Sequence, residues 1–213
     1  MDFFSRVEAA RERYNVLEHP FYERWSAGEL TIDELAAYAG QYRHAVVALA
    51  EASQGAARAA GPELTPALEA HAAEETSHVA LWDDFTRAIG GAVEAVPNAE
   101  TATCASAWAG DEDRSLAATL AVLYAIESGQ PAIAETKRAG LLEHYGIADG
   151  PATAYFALHA TLDHEHAAEE RALLEGMLAG EDIDALVAEA EAALRANWEL
   201  LDGVDAARTS ADR

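Results

Sequence analysis

The chain has 213 residues, 51% of them hydrophobic, enough for one domain with a substantial core. Alanine dominates, while the 14 Gly and 6 Pro fall between periodic segments, a pattern that favours an all-helical protein. The 14 basic residues against 38 acidic ones give a formal net charge of -24, which argues against nucleic acid and anionic membrane surfaces as partners and reads as a solvated outer face.

A first helix is expected from Phe3 to Glu18, with Phe4, Val7, Ala10, Tyr14 and Leu17 on one stripe. His19-Pro20 ends or bends it, because the residue before proline avoids the helical region. A short helical turn follows from Phe21 to Ser26, broken at Ala27-Gly28. Thr31-Ile-Asp-Glu34 is a capping box opening a long helix to about Ala60, which Gly61-Pro62 stops. Thr65-Pro66, with proline at the first helical position, starts another that runs to Ile89, before Gly90-Gly91.

The stretch from Ala92 to Asp113 is weakly structured, with a short helix around Thr101 to Trp108. Ser115 caps a helix to about Tyr145, interrupted near Gly129-Gln130-Pro131. The next follows Gly150-Pro151 and reaches Leu178, and Asp182 caps a last helix ending near Leu201. One all-α domain of about seven helices is expected over 1–205, with 206–213 as a frayed tail. No apolar run approaches a membrane span and the N-terminus lacks a signal-peptide pattern. The only cysteine, Cys104, has no activating neighbour and reads as a small buried filler. A cytosolic protein is expected.

His159, Asp163 and His166 recur at steps of four and three, which puts them on one helix face. Two imidazoles and a carboxylate on a shared face suit a transition metal and are costly to bury otherwise. The helix after Thr65 carries His71-Ala-Ala-Glu-Glu-Thr-Ser-His78. Glu75 and His78 form the E-x-x-H pair by which helical dimetal proteins present ligands inward, and Glu74 serves equally well on spacing alone. His71, two turns from His78, reads as outer shell or exposed, and His164 as surface. Glu127 follows a run of twelve uncharged residues and so reads as buried, where a carboxylate needs a cation. The bend signalled by Gly129 and Pro131 often accompanies such a group. Three carboxylates and three histidines from three helices make a balanced two-metal inventory.

Leu17-Glu-His-Pro-Phe-Tyr-Glu-Arg-Trp-Ser-Ala-Gly-Glu-Leu-Thr31 and Ala36-Ala-Tyr-Ala-Gly40 resemble the first part of the haem-oxygenase-like fold, shared by TenA, PqqC and dimetal-oxidase branches. The resemblance to the Chlamydia protein associating with death domains and its bacterial relatives is closer than to these. It continues through Leu123-Tyr-Ala-Ile-Glu-Ser-Gly-Gln-Pro-Ala-Ile-Ala-Glu-Thr-Lys137, Gly140 to Ile147, and Tyr155 to Leu173.

This resemblance implies a dimetal oxygenase that makes p-aminobenzoate for folate biosynthesis. Such an enzyme uses Fe/Fe or mixed Mn/Fe ions, dioxygen and an external reductant, and is commonly a homodimer. It consumes one of its own tyrosines, matched by Tyr22, and takes nitrogen from a lysine, matched by Lys137. A second family tyrosine matches Tyr155. The implied ligands are Glu74 or Glu75, His78, Glu127, His159, Asp163 and His166. Two departures stand out: Ile126 replaces a family tyrosine, and the Glu-to-His segment before His78 is shorter.

Read without the resemblance, Lys137 is a solvated side chain and Tyr22 an aromatic core packer. Two rival functions follow from the same residues: oxidation of an external amino acid, amine or fatty acid at the metal site, or a helical protein-interaction module.

Overall fold

Local capping chemistry sets the helix boundaries in the computed structural model, which describes the backbone of residues 2–211 and the side chains of 2–207. Helix α1 (Phe3–Arg13) starts where Asp2 accepts a hydrogen bond from the Ser5 N–H. It stops five residues short of the expected Glu18, because the Asn15 side chain accepts from the Leu17 N–H and caps a separate 3₁₀ turn, Val16–Glu18. Helix α2 (Pro20–Ala27) opens with His19 accepting from the Phe21 N–H and Pro20 at its start. It closes at Gly28, whose φ of 71° is in the left-handed region.

Thr31 and Glu34 form the expected capping box of α3 (Ile32–Ala59), which packs along α4 (Thr65–Ala88) and α5 (Ala99–Ala109). The buried stripe of α4 runs Leu68, His71, Glu75, His78, Trp82, Phe85. Those steps of three and four keep one face of the helix inward.

Ser115 caps α6 (Leu116–Glu127), which is buried all round from Thr119 onward. Each fully buried Leu, Val or Ile there contributes about 1.5–3 kcal/mol of transfer free energy. Pro131 has no N–H to donate to the carbonyl of Glu127, so the helix breaks there. The Gly129 N–H turns back to the Ile126 carbonyl at 3.1 Å, and α7 (Gln130–Glu143) sets off afresh.

Helix α8 (Ala154–Met177) packs on both α6 and α7, and α9 (Ile183–Ala211) closes the bundle against α5, α6 and α1. The last helix was expected to end near Leu201 but runs to Ala211. Val204 continues its buried face, and Asp205 pairs with Arg24 at 2.6 Å. Asp212 and Arg213, the end of the expected frayed tail, lie outside the described residues.

All regular structure among the described residues is helical, in nine α-helices and three 3₁₀ turns. The expectation that no segment is apolar enough to span a bilayer needs correction. Leu116–Glu143 is long enough, with a window of mean hydropathy 1.2. That window is 72% buried inside the protein, as befits the central core helix of a bundle.

Candidate metal centre

The stripe of α8 reads Phe156, His159, Asp163, His166, Glu170, Leu174, with four polar residues in core positions between apolar ones. It faces α4, whose His71, Glu75 and His78 have the same steps of four and three as His159, Asp163 and His166. The two triplets meet end to end. The His71 and His166 rings lie 4.2 Å apart between centroids, and His78 and His159 lie 4.8 Å apart. Glu127 enters from the end of α6, with its Oε1 3.5 Å from His71 Nε2 and its Oε2 3.5 Å from His166 Nδ1.

Six sequence-predicted residues, Glu75, His78, Glu127, His159, Asp163 and His166, therefore converge, and each is less than 5% exposed. Glu74 does not join them: its side chain is 56% exposed and reaches His166 Nε2 from the rim at 3.3 Å. Glu75 instead lies inside, with Oε1 3.0 Å from His78 Nδ1 and 3.8 Å from His166 Nδ1. His159 Nδ1 lies 2.9 Å from both oxygens of Asp163, which orients the ring and leaves Nε2 facing the cluster.

Two members were missed in the sequence. His71, expected to be outer shell or exposed, is buried on the α4 stripe. Glu170 is buried one turn beyond His166. Their signal was present: His71 begins the second four-and-three triplet, and Glu170 extends the first by four.

The fit of this pocket to cations rests on its orphaned atoms. Seven buried atoms have no hydrogen-bond partner among the described residues: His71 Nε2, both oxygens of Glu127, His159 Nε2, His166 Nδ1 and both oxygens of Glu170. A protein rarely leaves such atoms unsatisfied, and imidazole nitrogens with carboxylate oxygens are the donor set of iron and manganese. The charges are equally ill-matched without a cation. Burial, then Glu127 and Glu75, push Asp163 up to about 9. Burial drives His159 down to about 4. For His166 burial acts downward, but Glu127 and Glu75 outweigh it and raise the ring to about 9.

Next to the cluster is an aromatic chamber built by α2, α3, α4, α7 and α8. The Tyr22 hydroxyl hydrogen-bonds that of Tyr38 at 2.7 Å, both fully buried. Lys137, read by default as solvated, is 1% exposed. Its Nζ lies 4.3 Å from the Tyr42 ring centroid, 5.4 Å from that of Tyr22 and 5.5 Å from Trp82. Burial pushes its amine down to about 7, while the surrounding ring faces favour the charged form.

Two contacts hold Lys137 there: Trp25 Nε1 donates to the Lys137 carbonyl at 3.1 Å, and Gly140 lets α7 approach Trp25. A Cβ on Gly140 would lie 2.6 Å from that indole. Tyr155 links chamber and cluster, its ring 4.1 Å from His159 and 4.9 Å from Trp82. Cys104 is fully buried and its thiol is pushed up by burial, the expected inert filler.

A family model described as iron-containing redox enzyme matches residues 36–198. The chain is 35% identical over 196 residues to the 4-aminobenzoate synthase of Chlamydia muridarum, covering 86% of this chain and 82% of that one. It is 33% identical to the 4-aminobenzoate synthase of Chlamydia trachomatis, covering 95% and 91%. Among solved structures, a haem-oxygenase-like domain from Shewanella denitrificans superposes with a TM-score of 0.80 at 17% identity, over 98% of this chain and 94% of that one; that likeness concerns the fold alone. The chain belongs to the haem-oxygenase-like family of iron-containing redox enzymes.

Proposed function

We propose that this protein is an oxygen-dependent dimetal enzyme that makes 4-aminobenzoate from its own Tyr22, with Lys137 as the amino donor. The observation that carries this reading is a buried lysine, its amine brought down by burial to about 7, set beside a buried tyrosine ring close to a carboxylate-and-imidazole cluster. Relatives named 4-aminobenzoate synthase, at 33–35% identity over most of both chains, support the product.

The chemistry matches group by group. 4-Aminobenzoate is a benzene ring with a carboxylate and an amine in para positions. The tyrosine side chain is a benzene ring with a carbon and an oxygen in those positions. Breaking the Cα–Cβ bond of Tyr22, oxidising Cβ to a carboxylate with dioxygen, and exchanging the phenol oxygen, lost as water, for Lys137 Nζ converts one into the other. The Cε–Nζ bond of the lysine is cleaved by hydrolysis of an imine, and Cε is left as an aldehyde. Glu75, His78, Glu127, His159, Asp163 and His166 would hold the metal ions, as Fe/Fe or Mn/Fe, which would supply dioxygen activation with electrons from an external reductant.

The protein's own residues do the rest. Tyr38 holds the Tyr22 hydroxyl in one orientation. Burial brings the Lys137 amine down to about 7, so that its nucleophilic, neutral form is well populated near neutral pH, and the packed rings exclude water. The rings of Tyr155, Trp82, Tyr42 and Tyr38 form a contiguous path from His159 to Tyr22, with successive centroids no more than 6.2 Å apart. An oxidising equivalent can cross such a path without a diffusing intermediate. This reading includes a homodimer in the cytosol.

The test is anaerobic reconstitution with Fe(II), with and without Mn(II), followed by oxygen and reductant with no organic substrate added. Protein grown on ¹⁵N-lysine is expected to yield ¹⁵N-labelled 4-aminobenzoate. Product that forms only when an amino acid or amine is supplied would move the assignment to an external substrate.

A further inference from the structure

The six converging residues of the proposed centre leave one end of the cluster unequal to the other. At the far end, His78 and His159 stand with Asp163 and Glu75, two imidazoles with two carboxylates. At the near end, the six-residue set offers one imidazole, His166, with Glu127 and a share of Glu75, whose Oε1 lies between the two ends, 3.0 Å from His78 Nδ1 and 3.8 Å from His166 Nδ1. Yet the His71 ring stacks on His166 at 4.2 Å and points Nε2 at Glu127. The carboxylate of Glu170 is directed into the same space: single ligand atoms of His71, Glu127 and Glu170 lie within 4.8 Å of one another. Glu170 is 1% exposed, and neither of its oxygens has a hydrogen-bond partner among the described residues.

We propose that the near-end metal ion is bound by His71 and Glu170 together with Glu127 and His166, so that the centre has eight protein ligands rather than six. The inference rests on the dimetal reading and adds two ligands to it. With these two, each end holds two imidazoles and the centre holds four carboxylates, contributed by a pair of antiparallel four-and-three triplets plus Glu127 and Glu170.

The charge count points the same way. Glu75, Glu127, Asp163 and Glu170 are four buried carboxylates, and two divalent ions carry four positive charges. The six-residue set, with three carboxylates, would leave a buried excess of positive charge and an orphaned acid beside it, both costly in a low-dielectric interior. His71 on α4 and Glu170 on α8 also hold the near-end ion between two helices whose aromatic contacts, Trp82 and Phe85 on Tyr155 and Phe156, lie beyond the far end of the cluster, so metal binding ties α4 to α8 at the near end.

The experiment measures metal directly. Full-length protein and the variants Glu170→Gln and His71→Gln are titrated anaerobically with Mn(II) and with Fe(II), desalted, and analysed for metal per chain. Wild type is expected to retain two ions. Each variant is expected to retain about one, with the affinity of the lost site reduced at least tenfold, the scale on which even outer-shell changes weaken metal sites. Two ions retained by both variants with unchanged affinity would overturn the inference while leaving the dimetal reading intact. A wild type that retains no ions would instead sink the dimetal reading.

Should either variant fold poorly, anomalous diffraction from wild-type crystals grown with Mn(II) decides the matter. A near-end ion in coordination contact with Glu170 and His71 supports the proposal, and one contacting only Glu127 and His166 overturns it.

Discussion

Two residues, Lys137 and Glu75, show how burial changes what a side chain does. A lysine in a run of small and charged residues is solvated by default. Lys137 is instead enclosed by aromatic rings, and burial brings its amine down to about 7. The folded state therefore prefers the neutral amine, while the unfolded chain keeps the ordinary value of 10.5.

Between those values the unfolded state binds the extra proton, so this lysine's cost to stability is complete below about pH 7 and falls away as pH rises toward 10.5. That shift corresponds to a cost of a few kcal/mol for the charged form. Lys137→Met should accordingly stabilise the metal-free protein by a few kcal/mol at pH 6 and by much less at pH 10. Denaturant unfolding at the two pH values measures this, and an equal gain at both would contradict it. The same amine donates nitrogen only when neutral, so 4-aminobenzoate formation should rise with pH through about 7 and then level off. Lys137→Met should abolish product while metal content stays unchanged.

The Glu74–Glu75 pair, open on spacing alone, divides by burial: Glu75→Gln should strip metal, whereas Glu74→Gln should leave it bound, as read by metal analysis after desalting.

At the scale of elements, the helical segments, their caps and the triplet on α8 were legible, because each rests on short-range spacing. The Thr31–Glu34 box, the Ser115 cap and the Pro131 break lie where the residues put them. Helix ends that depend on distant partners were not legible: α9 continues because its far end packs and pairs with other helices. His71 is hidden when E-x-x-H is taken as a pair and not as part of a triplet that mirrors α8, and Glu170 when the α8 pattern is stopped at His166.

The position of Lys137 could not be read either. It depends on how the break after Glu127 reorients α7, and on Gly140 seating that helix against Trp25. Gly140→Ala should force α7 away from the indole, destabilise the protein by about 1–3 kcal/mol, and reduce product yield through misplacement of Lys137. A melting temperature and yield equal to wild type would show that the close approach does not position the lysine.

Taken whole, the molecule is a helical bundle in which two polar triplets and two further glutamates replace apolar core, and an aromatic chamber extends that polar region toward α2. Membership of the iron-containing redox enzymes accounts for the polar core. It does not by itself distinguish an enzyme that oxidises an outside molecule from one that consumes its own side chain. Ile126, where the resemblance leads one to expect a tyrosine, lies in the apolar wall of α6 at 4% exposure, and the path from His159 to Tyr22 runs through other rings.

The most direct test of the central claim is therefore isotopic. Protein grown on ring-¹³C-tyrosine is loaded with metal anaerobically, given oxygen and reductant with no organic substrate, and both product and peptides are analysed by mass spectrometry. The account predicts ¹³C-labelled 4-aminobenzoate, no more than one per chain, with loss of the Tyr22 side chain from its peptide in proportion. Labelled or unlabelled 4-aminobenzoate formed alongside an intact Tyr22 peptide would contradict it.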